Sequence, residues 1–294
     1  MHFELQRILQ DLDARWPALS ANQIPLELEM IPMEVFGMLQ IDRPPELVNL
    51  LKWMPSMPPA EVQQLWTGNS GHELMKQSIC FLKSTVSKYR EVAQKPLHEG
   101  MVLDYGCGWG RLIRLLYKHF PGDNIYGCDP WDESLAWCRQ GRLHGTFFQS
   151  DYLPETLPLS DSVQFDLIIA FSVFTHLSER SFKMSAEVLM DRLSDDGLLA
   201  LTIRPREYWD HIFGTTPFFS KIPLQQVREA HDLDRHAFYP HPKKIHRGEV
   251  VYGETTVSPE YLKKAFGKLE ITGIEWSETD PFQIIIFLQK KKTR

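Results

Sequence analysis

The chain has no C-x-x-C pair, no apolar run long enough to span a bilayer and no excess of positive charge. Each absence removes a class of function. Its four cysteines, Cys80, Cys107, Cys128 and Cys138, are scattered, so a zinc site of paired thiolates is not expected. The longest apolar runs, 167–171 and 284–288, are strand-sized, far below the ~20 residues of a membrane helix. Lysine and arginine number 32 against 38 aspartates and glutamates, giving a net charge of −6. That balance exerts no global pull on nucleic acid or an anionic membrane surface. The short basic clusters Lys243-Lys244 and Lys290-Lys291-Lys292 read as solvated loop and tail. The start, Met1-His2-Phe3-Glu4-Leu5, lacks the basic-then-apolar layout of an export signal. The expectation is a cytoplasmic protein with reduced thiols.

What is present is a chain of 294 residues, 43% hydrophobic, enough for one large α/β domain and a smaller attachment. Up to about residue 95 the signals are helical and broken by prolines. Leu5, Ile8, Leu9, Leu12 and Trp16 recur at helix spacing until Pro17. Amphipathic stretches follow Pro44-Pro45 and Pro58-Pro59, and a longer helix carries Met75, Ile79, Leu82, Val86 and Tyr89 on one face. No strand is expected here, and 1–95 reads as a helical cap on a domain spanning 96–294.

From Met101 onward the pattern is strand, turn, helix, repeated, with strands at 101–104, 124–128, 146–149, 165–171 and 198–203. Such alternation implies a parallel sheet covered on both faces. Ser178 and Ser258 are placed to cap helices. Residues 270–276 and 283–288 then look like two strands whose short link, containing Asp280-Pro281, allows only an antiparallel pairing.

The strongest motif is Val102-Leu103-Asp104-Tyr105-Gly106-Cys107-Gly108-Trp109-Gly110-Arg111. Its glycines let the backbone turn sharply off a strand and approach a ligand closely, and the helix after it is expected to aim free N–H groups at that ligand. A dinucleotide fingerprint would need a third glycine where Arg111 stands, and Asp104 would repel a pyrophosphate. The same carboxylate suits a cationic amino acid. Further acids follow in register. Asp129, before Pro130, closes the second strand and can accept hydrogen bonds from two ribose hydroxyls. Asp151, before Tyr152, follows the third strand and can take an adenine amine. The fourth strand ends in Phe171-Ser172-Val173-Phe174-Thr175-His176-Leu177, on the edge where open sheets bind ligands.

With these motifs the sequence resembles the class I S-adenosylmethionine-dependent methyltransferases over about 101–205, through VLDYGCGWGRL, IYGCDP, QSDYLP, FDLIIAFSVFTHL and LSDDGLLALTIRP. The resemblance implies a Rossmann-like, seven-stranded, mainly parallel sheet of order 3-2-1-4-5-7-6, with strand 7 antiparallel. It implies S-adenosylmethionine as cofactor, held by Asp104, Gly106, Cys107, Gly108, Arg111, Asp129, Pro130, Asp151, Tyr152, Phe171 and Ser172. GCGWGR with SVFTHL is similar to a bacterial small-molecule or glycan branch. Residues 65–71, with Trp66 and Gly68, resemble a loop that folds over the methionine end of the cofactor, and would serve equally as a helix–helix connection.

Transfer to a hydroxyl needs a base, and His176 is the candidate catalytic residue, with capping or packing as its alternative role. No Asn-Pro-Pro-Tyr or Asp-Pro-Pro-Tyr signature follows strand four, which tilts the acceptor toward oxygen. The stretch 208–256 reads as an insertion that covers the substrate. Its His231, His236, His241 and His246 are spaced by five, matching neither a helix face nor a strand face, and Pro240 and Pro242 are expected to break any regular element. No metal site is expected. The aromatics Phe218, Phe219, Phe238 and Tyr239 suit either stacking on a sugar or a small core of the insertion's own. The competing readings are a nicotinamide-dependent oxidoreductase, an inactive cofactor-binding module, and N- or carboxyl-methylation of a macromolecule.

Overall fold

The computed structural model describes residues 3–215, 223–241 and 245–292. They fall into two compact units, Met1–Arg90 with Gln94–Gln149, and Glu91–Ala93 with Ser150–Arg294. Phe218 and Phe219, Pro242, and the Lys243-Lys244 pair lie outside the described residues.

The first unit opens with helices α1 (Phe3–Arg15), α2 (Ile24–Leu28), α3 (Met33–Asp42), α4 (Val48–Trp53), α5 (Ala60–Thr67) and α6 (Gly71–Val92). Among the described residues no strand precedes β1, as the helical spacing implies. Pro59 occupies the N-cap of α5, where no intrahelical donor is missed. Asp13 of α1 is buried and accepts the Leu50 N–H at 2.7 Å, satisfying one of the free donors in the first turn of α4. Helices α3 and α6 approach so closely that a Cβ at Gly37 would lie 2.6 Å from Ile79 Cδ1. The unit continues through β1 (Val102–Tyr105), α7 (Ile113–Leu116), β2 (Ile125–Asp129), α8 (Asp132–Gln140) and β3 (Thr146–Gln149).

The second unit carries β4 (Phe165–Ala170), α9 (Glu179–Arg192) and β5 (Leu193–Ile203). Ser178 caps α9 by accepting from the Ser181 N–H. Next come α10 (Tyr208–Thr215), α11 (Leu224–Asp234), β6 (His236–Pro240), β7 (Ile245–His246), β8 (Glu249–Val250) and β9 (Gly253–Val257). Helix α12 (Pro259–Ala265), capped by Ser258, leads into β10 (Leu269–Trp276) and β11 (Ile284–Lys290).

The main sheet has seven strands in the order β10-β11-β5-β4-β1-β2-β3. Strand β1 pairs parallel with β2, and β2 with β3. Strand β4 pairs parallel with β5, and β11 runs antiparallel to both β5 and β10. This is the Rossmann-like order 3-2-1-4-5-7-6 with its reversed seventh strand. Strand β1 is buried throughout and β4 nearly so, as strands covered on both faces must be. The edge strands β3 and β10 bring Thr146, Gln149 and Trp276 to the surface. Among the described residues no helix is long and apolar enough to cross a membrane.

The region 208–256 is more regular than its prolines suggest. Strands β6 and β9 pair antiparallel, and Pro240 ends β6 opposite Gly253. A proline is tolerated there because it removes a ladder donor only at the strand's last position. Tyr208, Trp209, Ile212, Val227 and Ala237 form a buried cluster, with Tyr239 and Phe282 packed on it. The insertion has a core of its own.

Candidate functional site

In the first unit, β1 delivers Asp104 and the glycine turn from the interior of the sheet. Gly106, Gly108 and Gly110 all have positive φ, at 75°, 55° and 80°, the region that favours glycine. At Gly110 space is also decisive, since a Cβ would lie 2.0 Å from Leu143 Cδ2. The Gly106 and Cys107 N–H groups both donate to Cys128 O, at 2.8 and 2.9 Å, and the Gly110 N–H donates to Cys107 O at 2.9 Å. The turn therefore spends these amides on its own chain. The helix after it, α7, is only four residues long. It does not supply the extended N-terminus of free amides that the sequence suggested, because the chain leaves the glycine turn through further turns before becoming helical.

Asp104 is 2% exposed and its Oδ2 has no hydrogen-bond partner. Burial raises its pKa to about 7, opposed by the Arg111 guanidinium and reinforced by Asp129. A buried carboxylate with an unsatisfied oxygen is costly, and an approaching ammonium group would relieve that cost. Arg111 is half-buried, and burial lowers it to about 10, so it stays cationic. Cys107 turns its Sγ inward, near Gly127 and the Gly108 carbonyl, leaving the ligand only its backbone. Asp129 is pinned: Oδ2 accepts the Gly108 N–H at 3.0 Å and Oδ1 the Trp131 N–H at 2.9 Å. These two hydrogen bonds fix the orientation of the carboxylate at the end of β2. The Pro130 carbonyl accepts from Gln149 Nε2 at 3.0 Å.

Trp66 lies beside the glycine turn. It lies at the end of α5, donates through Nε1 to Ser134 Oγ at 2.8 Å, and stacks on Trp131 at 4.9 Å between centroids. Its Cδ1 stands 3.6 Å from where a Cβ at Gly108 would be, so the indole lies against the glycine turn. Gly68, in the left-handed C-cap of α5, has nothing within 4 Å of a Cβ position. Segment 65–71 joins two helices and also places an aromatic at the turn. Trp131 was not singled out from sequence, although its position directly after Asp129-Pro130 was a usable signal.

In the second unit, Ser172 follows β4 with φ 60°, a strained value for a residue with a side chain. Its N–H donates to Thr202 Oγ1 at 2.8 Å, and its Oγ accepts from Gln283 Nε2 at 3.1 Å. Gln283 is 5% exposed and its Oε1 has no partner, a second buried polar atom left open. Phe171 is half-buried at the same strand end. Asp151 is held by the insertion: Oδ1 accepts the Leu153 N–H at 2.9 Å and meets His246 Nε2 at 2.9 Å, while Oδ2 accepts from Arg247 at 2.8 Å. The Tyr152 ring lies 5.3 Å from that of His246.

His176 sits in a dense polar network. Its Nδ1–H donates to Gly253 O at 2.7 Å, so Nε2 carries the lone pair, and an Arg204 guanidinium nitrogen lies 3.4 Å from it. Its ring stacks on Tyr252 at 4.9 Å and 8°. Burial and the Arg204 charge push its pKa down to about 4. Glu254, 5% exposed, accepts from Arg204 and from the Tyr208 hydroxyl at 2.9 Å, and meets His241 Nε2 at 3.2 Å. Burial alone would raise the Glu254 carboxyl, but His176, Arg204 and these hydrogen bonds together bring it down to about 2. The evenly spaced histidines go to different partners: His231 to Thr256 Oγ1, His241 to Glu254, and His246 to Asp151. Arg204, Tyr208, Tyr252, Glu254 and Gln283 were invisible as a group in the sequence.

Residues 102–197 match the family described as methyltransferase domain. No curated protein matches the sequence. Among solved structures, an S-adenosylmethionine-dependent methyltransferase from Clostridium acetobutylicum is similar with a TM-score of 0.53 and 16% identity, over 79% of this chain and 97% of that one. A protein of Pyrococcus horikoshii is similar with a TM-score of 0.54 and 17% identity, over the same shares of 79% and 97%.

Proposed function

We propose, from the premise that residues 102–197 form a class I S-adenosylmethionine-dependent methyltransferase domain, that the chain methylates a hydroxyl oxygen of a small-molecule or glycan acceptor. The orphaned Asp104 Oδ2 carries the reading. A buried carboxylate oxygen without a partner fits the ammonium of the methionine moiety, and the glycine turn leaves the close approach that the moiety needs. The bound cofactor supplies an activated sulfonium methyl, so transfer depends mainly on alignment and exclusion of water.

In this reading Asp104 holds the ammonium, Arg111 stays charged for the carboxylate, and the backbone of Gly106, Cys107 and Gly108 lines the approach. Trp66, with Gly68 at its helix end, covers the methionine end. Asp129 takes the ribose hydroxyls beside Pro130, and Asp151 takes the adenine amine beside Tyr152. Phe171 and Ser172 end the strand next to the reacting group, and Gln283 Oε1 accepts a hydrogen bond from the acceptor. Residues 1–95 act as the cap and 208–256 as the cover on the acceptor. The acidic balance of the chain supports a small acceptor over RNA.

His176 is the base, neutral at pH 7, receiving the hydroxyl proton at Nε2 once Arg204 gives way. The 3.4 Å approach of Arg204 to Nε2 favours a second reading, an acceptor such as a carboxylate that needs no base. Calorimetry with S-adenosylmethionine and S-adenosylhomocysteine tests the premise. Micromolar binding that drops roughly ten- to a hundredfold in Asp129→Ala is expected, from losing about 1.5–3 kcal/mol. Binding of NADH in its place would overturn the proposal. Transfer of a radiolabelled methyl group to panels of hydroxyl and carboxyl acceptors, with His176→Ala alongside, then separates the two readings. Cofactor binding without transfer to any panel would favour a binding module.

A further inference from the structure

Strands β7 and β8 form a small antiparallel hairpin, Ile245 opposite Val250 and His246 opposite Glu249, turned at Arg247 and Gly248, whose φ values are 49° and 84°. Its tip is fastened to Asp151. His246 Nε2 lies 2.9 Å from Asp151 Oδ1, and Arg247 donates to Oδ2 at 2.8 Å. The far strand is tied as well, through Glu249 to Arg180 of α9. With the Leu153 N–H also on Oδ1, both carboxylate oxygens are engaged by the chain itself. The contacts are half open to solvent: Arg247 is 62% exposed and Asp151 32%. Ion pairs of that kind contribute little and exchange readily.

We propose that His246 and Arg247 set the affinity for the cofactor by competing with its adenine amine for Asp151. This inference rests on the reading of Asp151 as the adenine-binding carboxylate. An exocyclic amine is a neutral hydrogen-bond donor. At Oδ1, where the Leu153 N–H and His246 already sit, it must displace the imidazole, and at Oδ2 it must share the oxygen with the Arg247 guanidinium. The hairpin tip therefore lowers affinity by the small amount that those pairs are worth. Opening the hairpin is then part of cofactor entry, and rapid exchange of the bound product is the gain.

The test is calorimetric titration of S-adenosylhomocysteine into four forms of the full chain: native, His246→Ala/Arg247→Ala, Asp151→Ala, and the triple variant. None of the three side chains belongs to the buried apolar core. Tightening by about two- to fivefold in the double variant is expected, with weakening in Asp151→Ala and no further effect of the tip substitutions in that background. Unchanged or weaker binding in the double variant, with Asp151→Ala still impaired, overturns the competition while keeping the adenine reading. Native affinity in Asp151→Ala overturns the adenine reading, and the inference with it.

Discussion

The glycine turn in the first unit and the His176–Glu254 network in the second are both buried and polar, and they solve opposite problems. The turn leaves Asp104 Oδ2 without a hydrogen-bond partner, whereas Glu254 has Arg204, Tyr208 and His241 around one carboxylate. An unsatisfied buried charge is tolerated where a ligand completes it. A satisfied one is a structural joint, here tying β9 of the insertion to the ends of β4 and β5 through His176 and Arg204. On the proposed reading the cofactor completes the first arrangement, and the second must loosen at Arg204 before His176 can meet an acceptor.

The sharpest way to break that contrast is to delete one partner in each. Glu254→Ala removes the counter-charge of a buried guanidinium, and loss of one member of such a pair costs about 3–5 kcal/mol. Urea denaturation should show that loss, with the midpoint falling and the slope unchanged. A Glu254→Ala variant as stable as the native protein would mean that the network is dispensable and free to serve an acceptor.

Acid should act on that network and on two further buried histidines. Burial lowers His176 and His236 to about 4 from 6.5, and His119 in the first unit to about 3. The folded protein keeps these rings neutral while the unfolded chain binds protons below pH 6.5. Stability is therefore full above about pH 6.5 and falls as pH drops toward 4, by on the order of 3 kcal/mol per fully depressed ring before other groups respond. Glu254 adds a further loss below its unfolded value of 4.5. A denaturation midpoint that stays flat between pH 7 and pH 5 would contradict this.

Asp104 should show the opposite sign. Its folded pKa near 7 lies above the unfolded 3.8, so the protein without cofactor is destabilised by this group as pH rises from about 4 to 7. Asp104→Asn should leave that state as stable or more so at pH 8, while cofactor binding weakens by about 1.5–3 kcal/mol. Binding to the native protein should release a proton near pH 7, because the ammonium favours the ionised carboxylate. Calorimetry in buffers of different ionisation enthalpy measures that release directly, and its absence would place the ammonium elsewhere.

The two regions also differ in how far the sequence disclosed them. The glycine turn is local: ten consecutive residues leave a strand, and strand geometry places Asp104 and Asp129 without knowledge of anything distant. The parallel sheet and its antiparallel final pair were readable for the same reason, from alternating apolar runs and a short final link, whereas the strand order came only with the family resemblance. The network is assembled from residues far apart in the chain, as in the His176–Gly253 hydrogen bond across 77 positions, through an insertion whose pairing no local pattern announces. Pro240 illustrates the limit. It reads as a breaker, yet it closes β6 at a position where its missing N–H costs nothing. Gln283 was hidden differently: a glutamine just before a strand is ordinary until its hydrogen-bond partner Ser172 is known.

The smallest expected effect concerns Trp66, where a helix connection and a cofactor cover occupy the same residues. The indole makes a 2.8 Å hydrogen bond to Ser134, a stack on Trp131 and an approach to Gly108. Trp66→Phe removes the hydrogen bond and part of the ring while keeping an aromatic there, and should cost at least the roughly 0.5–1.5 kcal/mol of the hydrogen bond, with a smaller change in S-adenosylhomocysteine affinity than Trp66→Ala. Trp66→Ala also removes the ring from the glycine turn, and affinity should then fall about three- to tenfold, the scale of one lost aromatic contact. If Trp66→Ala lowers stability and leaves affinity at the native value, segment 65–71 only joins α5 to α6. The open carboxylate of Asp104 would then meet its ligand without a cover, and the contrast between an incomplete site and a closed network would rest on that single oxygen.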